Sequence, residues 1–208
     1  MTGGMTVPRL VLASGSRVRR DMLINAGLDI MVDPADVDEP AIEAECRAKG
    51  NTTAQVAEAL AKAKAARVSE RHPGACVIGA DQMLDVGGAS LRKPETMKDA
   101  AGTLERLAGR DHTLIAGVVL MRDGDVLWRH HSVARLTMRP LDKAAIGQYL
   151  DRAGDGVLTS VGAYQLEGLG AQLFERIDGD YFTILGLPLL ALLAALRDVA
   201  DIPSGVLR

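Results

Sequence analysis

The stretch LVLASGSRVRRDML, residues 10–23, changes character twice. Leu10, Val11, Leu12 and Ala13 form an apolar run of strand length. Ser14-Gly15-Ser16 then interrupts it with small residues. Behind them the chain runs to Gly27, a stop signal that predicts a helix over residues 17–26. Buried strand, short loop and helix make up the repeating unit of α/β proteins. The helix opens on Arg17, Arg19 and Arg20. A helix N-terminus carries partial positive charge and unpaired N–H groups, so cations there stand against the local field. Either they extend into water, or something negative is bound beside them.

Outward from this stretch the alternation continues. Residues 28–32, LDIMV, read as a second strand that runs into an acidic loop holding Asp36, Asp38 and Glu39. Thr52-Thr53-Ala54-Gln55 fits a capping box, with a helix over residues 55–69. ACVIGAD, residues 75–81, reads as a short apolar strand ending on Asp81. AAGTLERLAG is a helix ended by Gly109. TLIAGVVLM and VLWRHHSVARLTM are strands joined through Arg122-Asp123-Gly124-Asp125, and Asp-Gly between apolar runs signals a hairpin. A helix over 142–152, strand and loop in TSVGAYQLEG, and a closing helix over 188–199 with Pro188 in its first turn complete the chain. Alternating strands and helices with one hairpin predict an α/β fold with a mixed sheet flanked by helices.

The chain has 208 residues, the size of a single domain spanning 1–208. With 48% apolar and 25% charged residues it has the composition of a globular protein. Its formal net charge of -3 excludes an overall basic field for nucleic acid, so any phosphate site must be a local basic cluster. Cys46 and Cys76 show no metal-ligand spacing and read as reduced thiols of a cytoplasmic protein. The opening MTGGMTVPRL lacks the regions of a signal peptide. The most apolar run, residues 184–196, is broken by Gly186 and Pro188 and is shorter than the ~20 residues that span a bilayer, so no membrane association is expected. The fingerprints of P-loop nucleotidases, dinucleotide-binding folds, zinc proteases and serine hydrolases are all missing.

Several charged residues are candidates for chemistry. In the helix from Gln55 the expected apolar face is Val56, Ala59, Leu60 and Ala63, with Glu58 and Lys62 paired on the far side. Lys64 falls on the flank of that face, where it either snorkels to the surface or aims its ammonium at a neighbouring cleft. Asp81, at the end of a strand, is either a turn residue or a carboxylate able to hold a cation or take a proton from water. Glu39 is either part of a solvated acidic loop or a second such carboxylate. Lys93, restrained by Pro94, is a surface lysine or a phosphate clamp. His112, His130 and His131 show no partner spacing and are assigned to structure.

Taken in order, LASGSRVRRDML, DVDEP, LAKAKA, GADQ, RKP, SVGAYQLEGLG and IDGDYFTILGLPL resemble the Maf family of nucleoside triphosphate pyrophosphatases. The resemblance runs from Leu10 to about Leu196. It implies a Maf/ITPase-like α/β fold with a twisted mixed sheet, two lobes around a cleft, and a homodimer. It implies hydrolysis of a nucleoside triphosphate to monophosphate and pyrophosphate, assisted by Mg²⁺, Mn²⁺ or Co²⁺. Family members are associated with clearing non-standard nucleotides and with restraining cell division. The matching positions are Ser14, Ser16, Arg19 and Arg20 as substrate contacts, with Glu39, Lys64, Asp81 and Lys93 as the catalytic set. Asp81 matches the proton acceptor, and Glu39 and Asp81 are the implied metal pair.

Base preference in the family follows three positions, occupied here by Val18, Gln82 and Glu167. Gln82 and Glu167 resemble the branch acting on 7-methyl-GTP. Val18 departs from it, because those relatives carry a large aromatic there. A dTTP/UTP pyrophosphatase, a nucleotide- or sugar-phosphate-handling transferase and a non-catalytic nucleotide-binding regulator of septum formation are the alternatives.

Overall fold

In the computed structural model, which describes residues 9–200, β1 (Leu10–Leu12) leads through Ser14-Gly15-Ser16 into α1 (Arg17–Asn25). The opening strand, loop and helix stand as read. Ser16 is the N-cap, its Oγ accepting a hydrogen bond from the Arg19 amide at 3.4 Å. β2 (Ile30–Val32) pairs parallel to β1, with Val32 opposite Leu12.

The acidic segment that follows is not all loop. Asp38 caps α2 (Glu39–Ala48) by accepting from the Ala41 amide at 2.9 Å, and Pro40 stands in the first turn. Glu39 therefore opens a helix, a correction to its expected place in a loop. Asp followed two residues later by Pro was the available sequence signal. α3 (Thr53–Ser69) starts on the expected capping box, with both the Thr52 and Gln55 halves formed.

β3 (Cys76–Val86) runs five residues further than the sequence suggested, so Asp81 lies inside a strand rather than at its end. The parallel pairing of β1 with β3 nonetheless stops with Leu12 opposite Ile78. Asp81 thus sits past the carboxyl end of the β1 pairing, where α/β sheets place ligands. β3 turns at Gly87-Gly88 into β4 (Ala89–Leu91), which pairs antiparallel with it. α4 (Met97–Leu107) follows. β5 (Asp111–Arg122) and β6 (Asp125–Met138) are joined by Asp123 at φ 51 and Gly124 at φ 86, the left-handed pair that a type I′ hairpin turn requires.

α5 (Lys143–Ala153) is capped by Asp142. TSVGAYQLEG forms no strand: 3-10 turns at Gly154–Thr159 and Leu169–Leu173 bracket an irregular segment. Val161, Ala163 and Tyr164 are buried, yet Ala163 at φ 56 breaks the extended backbone, and Tyr164 is drawn inward by its hydroxyl contact with His112 Nε2 at 2.8 Å. The strand is instead β7 (Phe174–Asp178), antiparallel to β6 with Ile177 opposite Leu136. α6 (Tyr181–Ile184) and α7 (Leu189–Asp198) close the chain, with Pro188 as the N-cap of α7.

The strands hydrogen-bond in the order β2-β1-β3-β5-β6-β7, with β4 on β3, so the sheet is mixed as expected. The chain forms two compact units. Among the described residues, one comprises 9–81, Gly117–His131 and 186–200. Its core packs Val11, Ala13, Val77 and Val119 against Ala61, Ala65 and Val68 of α3. The other comprises Gln82–Ala116 and Ser132–Leu185. Its core gathers Leu84, Leu104, Leu107, Leu136, Leu150 and Tyr164. Cys46 and Cys76 are buried free thiols, and burial pushes the Cys76 thiol up to about 11, with Arg122 opposing the shift. Among the described residues, no helix is long and apolar enough to cross a membrane.

Candidate active site

The site begins with how closely α3 lies on its sheet. Val56, Ala57, Leu60, Ala61, Lys64, Ala65 and Val68 are its buried side, whereas Ala59 and Ala63 of the expected face are partly exposed. The rotation follows from two glycines. A Cβ on Gly79 would stand 2.0 Å from the Ala61 carbonyl oxygen and 2.8 Å from Ala65 Cβ. A Cβ on Gly117 would stand 2.7 Å from the Ala57 carbonyl. Backbone meets backbone, so the alanine edge of α3 turns inward and carries Lys64 with it. Glu58 pairs with His131 Nδ1 rather than with Lys62.

Lys64 is only 9% exposed. Its Nζ lies 2.6 Å from Asp81 Oδ1 and 2.7 Å from Glu39 Oε1. The ammonium therefore bridges two carboxylates from separate elements, one at the start of α2 and one within β3. The snorkelling alternative does not describe this lysine. Burial pushes the Asp81 carboxyl above its ordinary value; Lys64 and Arg19 oppose the shift, and the negative charge of Glu39 adds to it.

The opening arginines divide. Arg17 is exposed, and Arg20 pairs with its neighbour Asp21 at 2.8 Å. Arg19 turns inward. Its Nε donates to the Gly186 carbonyl at 2.8 Å, and its Nη1 donates to Ser14 Oγ at 3.0 Å and to the Ala80 carbonyl at 3.1 Å. Burial lowers the Arg19 pKa, and Asp81 and Glu39 counter that; a guanidinium stays charged regardless. Ser14 Oγ also accepts from the Ser16 amide at 3.3 Å, so the loop at the start of α1 is held by its own hydroxyls. These bonds engage Nε and Nη1, and Nη2 has two further protons to donate.

Arg19, Ser14, Glu39, Lys64 and Asp81 thus share one cluster within the first unit. Val18 is half-buried in α1. Gln82, Lys93 and Glu167 belong to the second unit. Lys93 is exposed in the loop after β4, beside the buried Pro94. Gln82 gives both Nε2 protons away, to the Thr183 carbonyl at 3.0 Å and the Ile184 carbonyl at 2.9 Å. Its Oε1, an acceptor, is the end that remains. Glu167 is exposed, and after burial it is a contributor to raising Tyr149, whose hydroxyl is pushed up to about 12.

Sequence reasoning overlooked the carbonyls of Ala80 and Gly186 and the two close-packed glycines. Backbone acceptors leave no mark in a sequence, but Gly79 inside an apolar strand run signals close backbone approach.

Among the described residues no three His, Cys, Asp or Glu side chains gather as a metal site. Two carboxylates are nevertheless a fitting partial shell for Mg²⁺ or Mn²⁺, which commonly take one or two carboxylates and complete their coordination with phosphate oxygens and water.

The matching family, described as Maf-like protein, covers residues 9–199. A Brucella abortus protein named 7-methyl-GTP pyrophosphatase is 55% identical over 193 residues, 93% of this chain and 96% of its own. A Mesorhizobium japonicum protein of the same name is 55% identical over 194 residues, covering 93% and 98%. A Nitrobacter winogradskyi protein named nucleoside triphosphate pyrophosphatase is 55% identical over 189 residues, covering 90% and 92%. Coverage from end to end at this identity, on top of the ordered motifs, means that the chain belongs to the Maf-like protein family.

Proposed function

We propose that this protein hydrolyses a nucleoside triphosphate to the monophosphate and pyrophosphate. The observation that carries the reading is the Glu39-Lys64-Asp81 bridge, in which Lys64 and Asp81 are buried and Glu39 stands at the exposed rim, with the Arg19 guanidinium beside it. Phosphoryl transfer needs little covalent help from a protein; it needs fixed cations around the phosphates and an oriented water. Arg19 Nη2 and the α1 N-terminus bind phosphate oxygens, with charge-assisted bonds from the arginine. Lys64 and Lys93 neutralise the departing pyrophosphate. Asp81 accepts the proton as the water oxygen bonds to the α-phosphorus and the bond from that phosphorus to the bridging oxygen breaks. Glu39 and Asp81 would hold a divalent cation, which when bound would add charge neutralisation at the phosphate oxygens.

The same reading takes 7-methyl-GTP as the preferred substrate. Gln82 Oε1 and the Glu167 carboxylate both present acceptors. The Watson–Crick edge of guanine offers adjacent donors, whereas uracil and thymine offer one donor flanked by acceptors. The carboxylate also suits the positive charge of a 7-methylated base. Val18 adds apolar contact without a stacking face. A homodimer in the cytoplasm, clearing non-standard nucleotides and restraining division, belongs to this reading through the family likeness.

A panel of 7-methyl-GTP, GTP, dTTP and UTP, assayed for pyrophosphate with Mg²⁺, Mn²⁺ or Co²⁺, tests it. Release of pyrophosphate with 7-methyl-GTP fastest is expected. Faster cleavage of dTTP or UTP would reject the base assignment. Nucleotide binding without turnover under every cation would favour the regulator instead.

A further inference from the structure

The Lys64 ammonium stands where a cation between Glu39 and Asp81 would stand. It is within 2.7 Å of one carboxylate and 2.6 Å of the other, and its stem is buried in the α3 packing. Arg19 is the second positive charge felt by Asp81. Two carboxylates against two cations sum to no net charge, and the described residues add no third metal-binding side chain. A divalent ion approaching the nucleotide-free protein would have to break two short charge-assisted bonds. It would gain only two carboxylates there, with a lysine ammonium left beside it.

A triphosphate changes the balance. Its oxygens give the ammonium new acceptors and supply the remaining ligands of the ion. The Lys64 stem has rotatable bonds, so Nζ can swing from carboxylate to phosphate while the helix stays in place.

We propose that Lys64 is a built-in substitute cation: it closes the Glu39-Asp81 pair to free divalent ions, so metal enters only together with the triphosphate. This inference rests on the proposed pyrophosphatase reading for the identity of the polyanion.

The test is Mn²⁺ binding to the full chain, followed by calorimetry and by the loss of the free-ion paramagnetic signal. The nucleotide-free protein is expected to show no saturable site, and a site is expected to appear with a non-hydrolysable α,β-methylene triphosphate. Lys64→Gln and Lys64→Met, checked for folding by circular dichroism, are expected to bind Mn²⁺ without nucleotide at least ~10-fold more tightly than the parent protein. Adding Glu39→Gln to either should abolish that gain. Equal Mn²⁺ affinity of the parent protein with and without the triphosphate analogue would overturn the proposal. So would folded Lys64 variants that gain no Mn²⁺ affinity. If neither variant folds, the parent protein's two arms decide alone. Absence of pyrophosphate release from every triphosphate, with the Mn²⁺ results as expected, would instead strike the reaction and leave the substitute cation standing.

Discussion

Gly79→Ala tests whether the catalytic geometry is set by backbone packing. The added Cβ would stand 2.0 Å from the Ala61 carbonyl oxygen, 2.8 Å from Ala65 Cβ and 2.9 Å from the Ala65 amide nitrogen. A carbon and an oxygen rest at roughly 3.3 Å, so α3 has to withdraw locally by about 1.3 Å. None of the three atoms is a flexible side-chain tip that could step aside. Overpacking of this kind costs about 1–3 kcal/mol. Ala61 and Ala65 flank Lys64 on α3, so the withdrawal carries the Lys64 backbone away from Asp81, and its stem can keep the 2.6 Å contact only by leaving its packed conformation. Misplacing a reacting group by ~1 Å costs on the order of 100-fold in rate. Pyrophosphate release and urea unfolding of Gly79→Ala should therefore fall together. Gly102→Ala is the control, because it lies within α4 and its added Cβ meets nothing within 4 Å. It should leave turnover unchanged and stabilise the fold by about 0.5–1 kcal/mol. A Gly79→Ala protein with parental turnover and an unchanged urea midpoint would refute the argument.

Further expectations concern single groups. Asp81→Asn should lower turnover by ~100-fold or more while circular dichroism is unchanged, and near-parental turnover would remove Asp81 as the proton acceptor. Arg19→Lys keeps the charge but loses the fork that reaches Ser14, Ala80 and Gly186. It should raise KM by ~10-fold or more and lower stability by about 2–4 kcal/mol, and an unchanged KM would count against the anion site. Burial lowers the His112 pKa from 6.5 to about 4, against the weaker opposing effects of the Arg110 backbone and Asp111. Its neutral form stabilises the fold fully above pH ~6.5, and that contribution is lost as pH falls toward the folded value, roughly 2 kcal/mol by pH 5. Urea unfolding at pH 7.5 and pH 5 should show this slope, and His112→Gln should flatten it.

Local order was legible in the sequence wherever one residue dictates one backbone choice. The capping box of α3 and the Asp-Gly hairpin between β5 and β6 act over a few residues, so their chemistry is written in neighbouring letters. The cluster of charged positions was likewise marked by order along the chain. Tertiary contact decided the rest. Whether Asp81 ended a strand depended on β4 and the other strands continuing the pairing of β3 past the reach of β1. Which arginine faced inward depended on carbonyls of Ala80 and Gly186, which are distant in sequence. Which face of α3 was buried depended on glycines 79 and 117, because a missing Cβ, unlike an apolar side chain, shows its effect only against the helix that fills the space. Periodicity alone placed Lys64 on a flank; backbone contact with the sheet turned it onto Glu39 and Asp81.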